Sequence, residues 1–163
     1  RSRGLGDVYK RQEHDWLTGL YNRNRYIERL EAYKQVQDQQ IGAIYIDLNG
    51  LKKVNDEQGH RAGDELIVRA AGTIAGIFAE DAYRVGGDEF VVILLDVSRE
   101  DFARKTEQLR RQMQKNGVDA SIGGVWQAST ENLEDLLRLA DENMYREKKR
   151  YYSQADAAQK PES

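Results

Sequence analysis

Residues 84–90 read Arg-Val-Gly-Gly-Asp-Glu-Phe and lead directly into Val91-Val92-Ile93-Leu94-Leu95, so a glycine pair and two adjacent carboxylates stand between two apolar strands. This is the signature of a β-hairpin with a chemically loaded tip. A Gly-Gly pair supplies the positive φ angles that a two-residue hairpin turn requires, and it leaves no side chain to keep a ligand off the backbone. Taken alone, Gly86-Gly87-Asp88-Glu89 reads as a plain hairpin with polar residues at its tip. A second acidic position changes the balance: Asp47, which ends the apolar run Ile41 to Leu48.

The remaining periodicity places both acids in one fold. Tyr26, Ile27, Leu30, Tyr33 and Lys34 mark a leading amphipathic helix from Asn22 to about Gln37, and Ile41 to Leu48 is too short for a helix and reads as a buried strand. Ile67, Ala70, Ala71, Ile74, Ile77 and Phe78 form the stripe of the next helix. Ala82 to Val85 and Phe90 to Leu95 are the hairpin strands. Ser98 with Asp101 resembles a capping box, opening a helix with the inner face Phe102, Thr106, Leu109 and Met113. Val118, Ala120, Ile122, Gly124 and Trp126 alternate as a last strand, and Leu133, Leu136, Leu137, Ala140 and Met144 mark a closing helix. With the leading helix set aside, this order is that of an α+β, ferredoxin-like, split βαβ antiparallel sheet flanked by helices. In that topology the first strand lies antiparallel to the third, and Asp47 is expected to face Asp88 across the top of the sheet.

Bulk properties bound the function. A chain of 163 residues with 39% apolar content suits one domain with one core. Arg1 to Gln12 shows no apolar period and reads as a non-native or disordered leader. Residues 153–163 read as a disordered tail, leaving 13–152 as the folded domain. No apolar run reaches the ~18 residues of a membrane span and no signal-peptide layout is seen, so the segment is expected to be soluble and without membrane contact. The absence of cysteine removes thiolate metal sites. A net charge of −3 with interleaved signs argues against broad nucleic-acid binding.

Asp47 and Asp88, brought together without thiols or paired histidines, offer the hard oxygens that magnesium and manganese prefer, and the Leu48 carbonyl can add a third. The alternative for either acid alone is a strand end facing water. Between Asn49 and Asp64 the sequence reads as a polar loop running into a helix. There Lys52 can hold phosphate, while Asn55 and Asp64 can read the hydrogen-bonding edge of a guanine. Asp64 can equally complement a helix dipole, and Lys52 with Lys53 can be solvated surface.

Five ordered blocks carry a resemblance: Asp15-Trp-Leu-Thr-Gly-Leu-Tyr-Asn-Arg23; Asp47-Leu-Asn-Gly-Leu-Lys-Lys-Val-Asn-Asp56; Gly59-His60 with Gly63-Asp64; Gly86-Gly-Asp-Glu-Phe90; and Ala140-Asp-Glu-Asn-Met-Tyr-Arg-Glu-Lys148. Together they resemble the GGDEF-type diguanylate cyclase domain, a nucleotidyl-cyclase or polymerase-palm type of sheet. The resemblance implies an enzyme that condenses two GTP into cyclic di-GMP and two pyrophosphates, using two Mg2+ or Mn2+ ions per active site. By position, Asp47, the Leu48 carbonyl, Asp88 and Glu89 are the metal ligands. Asp88, Glu89 and Lys52 are the catalytic group, with Asp88 the proton acceptor. Asn55, His60, Asp64, Gly86, Gly87 and Lys148 contact substrate. Asp15, Asn22 and Arg23 support the fold and the site.

The resemblance further implies a head-to-tail homodimer, weak in this segment, an upstream sensor in the native chain, and a cytoplasmic domain whether or not the full-length protein is membrane-anchored. Departures from the family pattern fall at Asn49, Gly50, Leu51 and Tyr152. Ile77-Phe78-Ala79-Glu80 stands in place of the family's Arg-x-x-Asp inhibition block and lacks its cation, so no feedback inhibition is expected there. The rival reading keeps the fold and GTP binding but not turnover, as a regulatory module. The intact Gly86–Phe90 signature favours the enzyme, and Asp64 favours guanine over a relaxed base choice.

Overall fold

The computed structural model describes residues 12–159. Along them run α1 (Arg23–Tyr33), β1 (Ile41–Leu48), α2 (Leu51–Gln58), α3 (His60–Phe78), a 3-10 turn (Ala79–Asp81), β2 (Ala82–Arg84), β3 (Glu89–Leu95), α4 (Arg99–Lys115), β4 (Ala120–Gln127) and α5 (Leu133–Gln159). The strands form one four-stranded sheet in the order β2-β3-β1-β4, with every neighbouring pair antiparallel. This is the expected split βαβ arrangement, with β1 beside β3.

Both faces of the sheet are covered, which is why β1 reads as a nearly continuous apolar run rather than an alternating one. Ile44, Ile46, Leu48, Phe90, Val92 and Leu94 point to one face, against Ile67, Ala70 and Ile74 of α3 and Phe102, Leu109 and Met113 of α4. Ile41, Ala43, Val91 and Ile93 point to the other, against Tyr26 of α1 and Leu136, Leu137 and Ala140 of α5. The period-2 geometry of a strand assigns Asp47 and Glu89 to this second face, under α5. A fully buried side chain such as Phe90 contributes roughly 2–3 kcal/mol through its removal from water.

The caps follow sequence chemistry. Asn22 Oδ1 accepts from the Arg25 N–H at 3.0 Å and starts α1, and Ser98 Oγ accepts from the Asp101 N–H at 3.1 Å and starts α4. At the other end of α4, Gly117 has φ 70° and the Val118 N–H donates to the Met113 carbonyl at 2.9 Å, closing a Schellman turn. Val118 is therefore the buried apolar residue of a helix cap, and the last strand begins at Ala120.

Other expectations are corrected. The polar stretch after Asp47 is not a loop: Gly50 takes the left-handed conformation (φ 73°) and opens α2, whose Leu51 leans on the core, and Gly59 (φ 91°) separates α2 from α3. Gly86 and Gly87 do not have positive φ, so the hairpin is not a two-residue primed turn. Instead the Glu89 carbonyl accepts from both the Val85 and Gly86 N–H groups, at 3.0 and 3.3 Å, around a wider connection. The leading helix ends at Tyr33 rather than Gln37. Residues 153–159, expected to be disordered, continue α5 as helix. The leader lies outside the described residues except for Gln12, whose carbonyl accepts from Asn22 Nδ2 at 2.6 Å. Among the described residues no helix is long and apolar enough to cross a membrane.

Candidate active site

Register brings the acids together one residue from where they were expected. Asp47 is paired with Glu89, and Asp88 stands one step beyond, its carbonyl accepting from the Leu48 N–H at 3.0 Å. Asp47, Asp88 and Glu89 each offer a carboxylate oxygen within 4.8 Å of the others. Asp47 is buried (7% exposed) and the other two are half-buried.

Into this cluster α5 delivers Lys148. Its Nζ donates to the Leu48 carbonyl at 3.1 Å and lies 3.0 Å from Asp47 Oδ1. The Asp47 contact is an ion pair without hydrogen-bond alignment, so that buried oxygen has no aligned donor. Burial pushes the Asp47 carboxyl up to about 6; Lys148 pulls it back, while the charge of Asp88 adds to the rise. Three crowded carboxylates and a buried carbonyl, all hard oxygens, fit a divalent cation of the magnesium or manganese kind.

The raised value has a consequence for stability. Between the ordinary 3.8 and about 6 the folded chain holds a proton on Asp47 that the unfolded chain has lost, so this group makes stability fall as pH rises through that window. Without divalent ions, Asp47→Asn is expected to gain on wild type between pH 5 and pH 7, by about 1 kcal/mol. Urea denaturation of both proteins in chelator at the two pH values checks this, and an unchanged difference contradicts it.

The hairpin tip is held from behind. Arg84 Nη1 contacts both oxygens of Asp15, at 3.1 and 3.0 Å, and its Nη2 donates to the Gly87 carbonyl at 2.9 Å. Asp15 also accepts from the Thr18 N–H and hydroxyl at 2.9 and 2.7 Å. Burial opposes its charge, but the Thr18 bonds and Arg84 outweigh that and hold the carboxyl below its usual range. Arg23 Nη1 donates to the Val85 carbonyl at 3.2 Å. The Asp15–Arg23 block thus clamps the turn that carries Asp88. Sequence reasoning assigned no role to Arg84, although a cation immediately ahead of a carboxylate turn was a usable signal.

A second support was missed entirely. Asn49 is buried; its Nδ2 donates to Asp119 Oδ1 at 2.9 Å and its Oδ1 accepts from the Ser121 hydroxyl at 2.9 Å. Its backbone N–H donates to the Asp119 carbonyl, also at 2.9 Å. The amide at Asn49 is therefore turned toward β4 and does not enter the carboxylate cluster. Asn49→Asp sets two carboxylates against each other and is expected to cost about 1–2 kcal/mol, with recovery in Asn49→Asp/Asp119→Asn, which restores one amide and one acid. Chemical denaturation of the three variants measures it; additive losses count against the pairing.

The residues expected from the sequence to read the nucleotide lie elsewhere on the chain. Asn55 in α2 packs against Gly63, where an added Cβ would collide with its amide, and Asp64 follows next on α3. Lys52, His60 and Asp64 are exposed, and none of them makes a side-chain hydrogen bond or ion pair among the described residues. Gly87 is exposed with open space around it, whereas a Cβ at Gly86 would stand 3.0 Å from Glu89 Oε2. Of the departures from the family pattern, Leu51 fills core space, Gly50 starts α2, and Tyr152 lies with Lys148 Nζ 5.8 Å from its ring centre.

An antiparallel sheet flanked by helices, with a hard-oxygen cluster at the β1 and β3 ends, defines an α+β, palm-like fold. The chain belongs to the GGDEF family: the family model described as "Diguanylate cyclase, GGDEF domain" matches residues 12–154. It is 35% identical over 160 residues to the uncharacterized protein YhcK of Bacillus subtilis, covering 86% of this chain and 44% of that one. It is 33% identical over 147 residues to the diguanylate cyclase DgcS of Shewanella oneidensis, covering 82% of this chain and 49% of that one. The chain thus spans about half the length of these relatives or less. Among solved structures, the coiled coil and GGDEF domain of DgcB from Caulobacter crescentus, in complex with c-di-GMP, superposes with a TM-score of 0.82 at 24% identity, covering 91% of this chain and 86% of that one.

Proposed function

We propose that the chain is a diguanylate cyclase domain that joins two GTP molecules into cyclic di-GMP and releases two pyrophosphates. The observation that carries the reading is the meeting of Asp47, at the end of β1, with Asp88 and Glu89, where the hairpin turn enters β3, beside the Leu48 carbonyl in a chain of this family. Two Mg2+ or Mn2+ ions held by these four groups would polarise the α-phosphate and acidify the attacking 3′-hydroxyl.

The protein's own groups do the rest. Asp88, half-buried at the hairpin tip, accepts the hydroxyl proton, with Glu89 beside it completing the negative site. Gly86 and Gly87 leave the tip backbone open to the phosphates. Lys148 and Lys52 neutralise triphosphate charge, Lys52 from the exposed first turn of α2. Asn55 and Asp64 select guanine and His60 lines the same pocket. The Asp15–Arg84–Gly87 chain of contacts keeps the tip in position.

One GTP per domain cannot close a two-nucleotide ring, so two copies must face each other across a two-fold axis. An upstream sensor segment in the native chain would govern that encounter, in the cytoplasm. Labelled GTP with Mg2+, followed by product chromatography over a protein dilution series, tests the reading. Cyclic di-GMP is expected, with specific activity that rises with protein concentration. GTP binding without product at any concentration would instead assign the chain to a regulatory, nucleotide-binding role.

A further inference from the structure

We propose that Lys148 is a stand-in cation, one that closes the carboxylate cluster to free divalent ions and releases it when a triphosphate arrives to take up the lysine charge. The inference rests on the proposed metal site and adds a role for Lys148 before substrate is present. Its ammonium holds two of the oxygens a divalent ion would need, Asp47 Oδ1 at 3.0 Å and the Leu48 carbonyl at 3.1 Å. All three groups are withdrawn from water: the Lys148 and Asp47 side chains are 16% and 10% exposed, and Leu48 is buried.

The backbone beneath Lys148 is anchored, so the lysine moves by its side chain alone. Glu147, its neighbour, makes a bidentate pair with Arg110 at 2.8 and 3.1 Å, and Asn143 Nδ2 donates to the Gly124 carbonyl at 3.3 Å. α5 also lies so close to β4 that a Cβ on Gly123 would meet the backbone of Ala140 and Met144. The flexible stem has somewhere to go. Tyr152, one turn further along α5 and half exposed, presents its ring centre 5.8 Å from Nζ, a face that attracts a cation toward solvent.

An ammonium and a divalent ion cannot share the same two oxygens, because like charges at such separation repel strongly in a partly dry site. A bare ion must therefore expel the lysine with no compensating partner. A triphosphate supplies one, so metal and nucleotide are coupled: each favours the other by the same factor.

The test is binding of Mn2+ alone to the full chain, without nucleotide, followed by the electron paramagnetic resonance signal of the free ion. Lys148→Met, which keeps the stem and removes the charge, is expected to bind Mn2+ at least about tenfold more tightly than wild type. Lys148→Arg should stay within about threefold of wild type, and Asp47→Asn in the Lys148→Met background should abolish the gain. Thermal melts establish that each variant is folded, with Lys148→Gln as the substitute if Lys148→Met is not. If Asp47→Asn weakens Mn2+ binding but Lys148→Met binds no more tightly than wild type, the metal site stands and the stand-in role falls. If Asp47→Asn changes Mn2+ binding in neither background, the metal-site reading falls and takes the proposal with it.

Discussion

Asp88→Ala is expected to lower cyclic di-GMP formation by at least about 10³-fold while leaving the fold in place. The size follows from what a single carboxylate does here. In the proposed mechanism it supplies negative charge to the cation-binding cluster and takes the proton of the attacking hydroxyl, and loss of one electrostatic or proton-transfer group in such a site costs about 10²–10⁴-fold. The fold is spared because the structural contact of this residue is its backbone carbonyl, which accepts the Leu48 N–H at 3.0 Å and survives the substitution. Its side chain is half-buried and sits among like charges, so its removal relieves repulsion rather than opening a packed core. Asp88→Asn keeps the shape and should be nearly as inactive. Product chromatography paired with a thermal melt decides the matter: activity within tenfold of wild type in a folded variant contradicts the assignment.

Gly123→Ala is expected to be strongly destabilising, because its Cβ would collide with backbone rather than with a side chain. On β4, Gly123 is paired with Tyr45 and faces α5, and an added Cβ would land on the Met144 nitrogen and the Ala140 carbonyl. Backbone cannot rotate away as a side chain can, so α5 must lift from the sheet. That strands Leu136, Leu137 and Ala140, which pack on Ala43 and Val91. Overpacking of this kind costs about 1–3 kcal/mol, and lost burial adds to it, so a total of roughly 3 kcal/mol or more is expected. The same displacement carries Lys148 away from Asp47 and Leu48, so activity should fall even where the variant remains folded. Gly124→Ala, whose Cβ would meet side chains rather than backbone, the Phe102 ring at 3.3 Å and Thr106 Cγ2 at 3.7 Å, is the control and should be much milder. Urea denaturation of the two variants separates them; equal, small losses would contradict this account of the sheet–helix contact.

Both the fold and the central acids were legible in the sequence for a physical reason. Strand and helix periodicities differ, and a run such as Ile41–Leu48, bounded by polar residues, admits few alternatives once its neighbours are assigned. The antiparallel order then put Asp47 near the glycine pair without any knowledge of side-chain positions. The offset of one residue, Glu89 rather than Asp88 opposite Asp47, arose because the topology sets β1 beside β3 and antiparallel to it but does not fix the register between them. α2 was hidden because Leu51 and Val54 are its apolar signal amid lysines, acids and amides, and Gly50 starts it with a backbone conformation rather than a capping side chain. Asn49 stood out only as a departure from the family pattern, because nothing local indicates that its amide reaches Asp119 and Ser121, about seventy residues away. Lys148 was named only through the family resemblance, and its ion pair with Asp47 depends on α5 lying over β4, which only the packed structure supplies.

The most direct measurement is anomalous diffraction from crystals of the chain grown with Mn2+ and a non-hydrolysable GTP analogue. The account predicts manganese peaks bridging Asp47 and the Asp88–Glu89 pair, with the Leu48 carbonyl in the coordination sphere and Lys148 turned to the phosphates. Manganese bound to the nucleotide alone, with neither Asp47 nor Asp88 as a ligand, would contradict it.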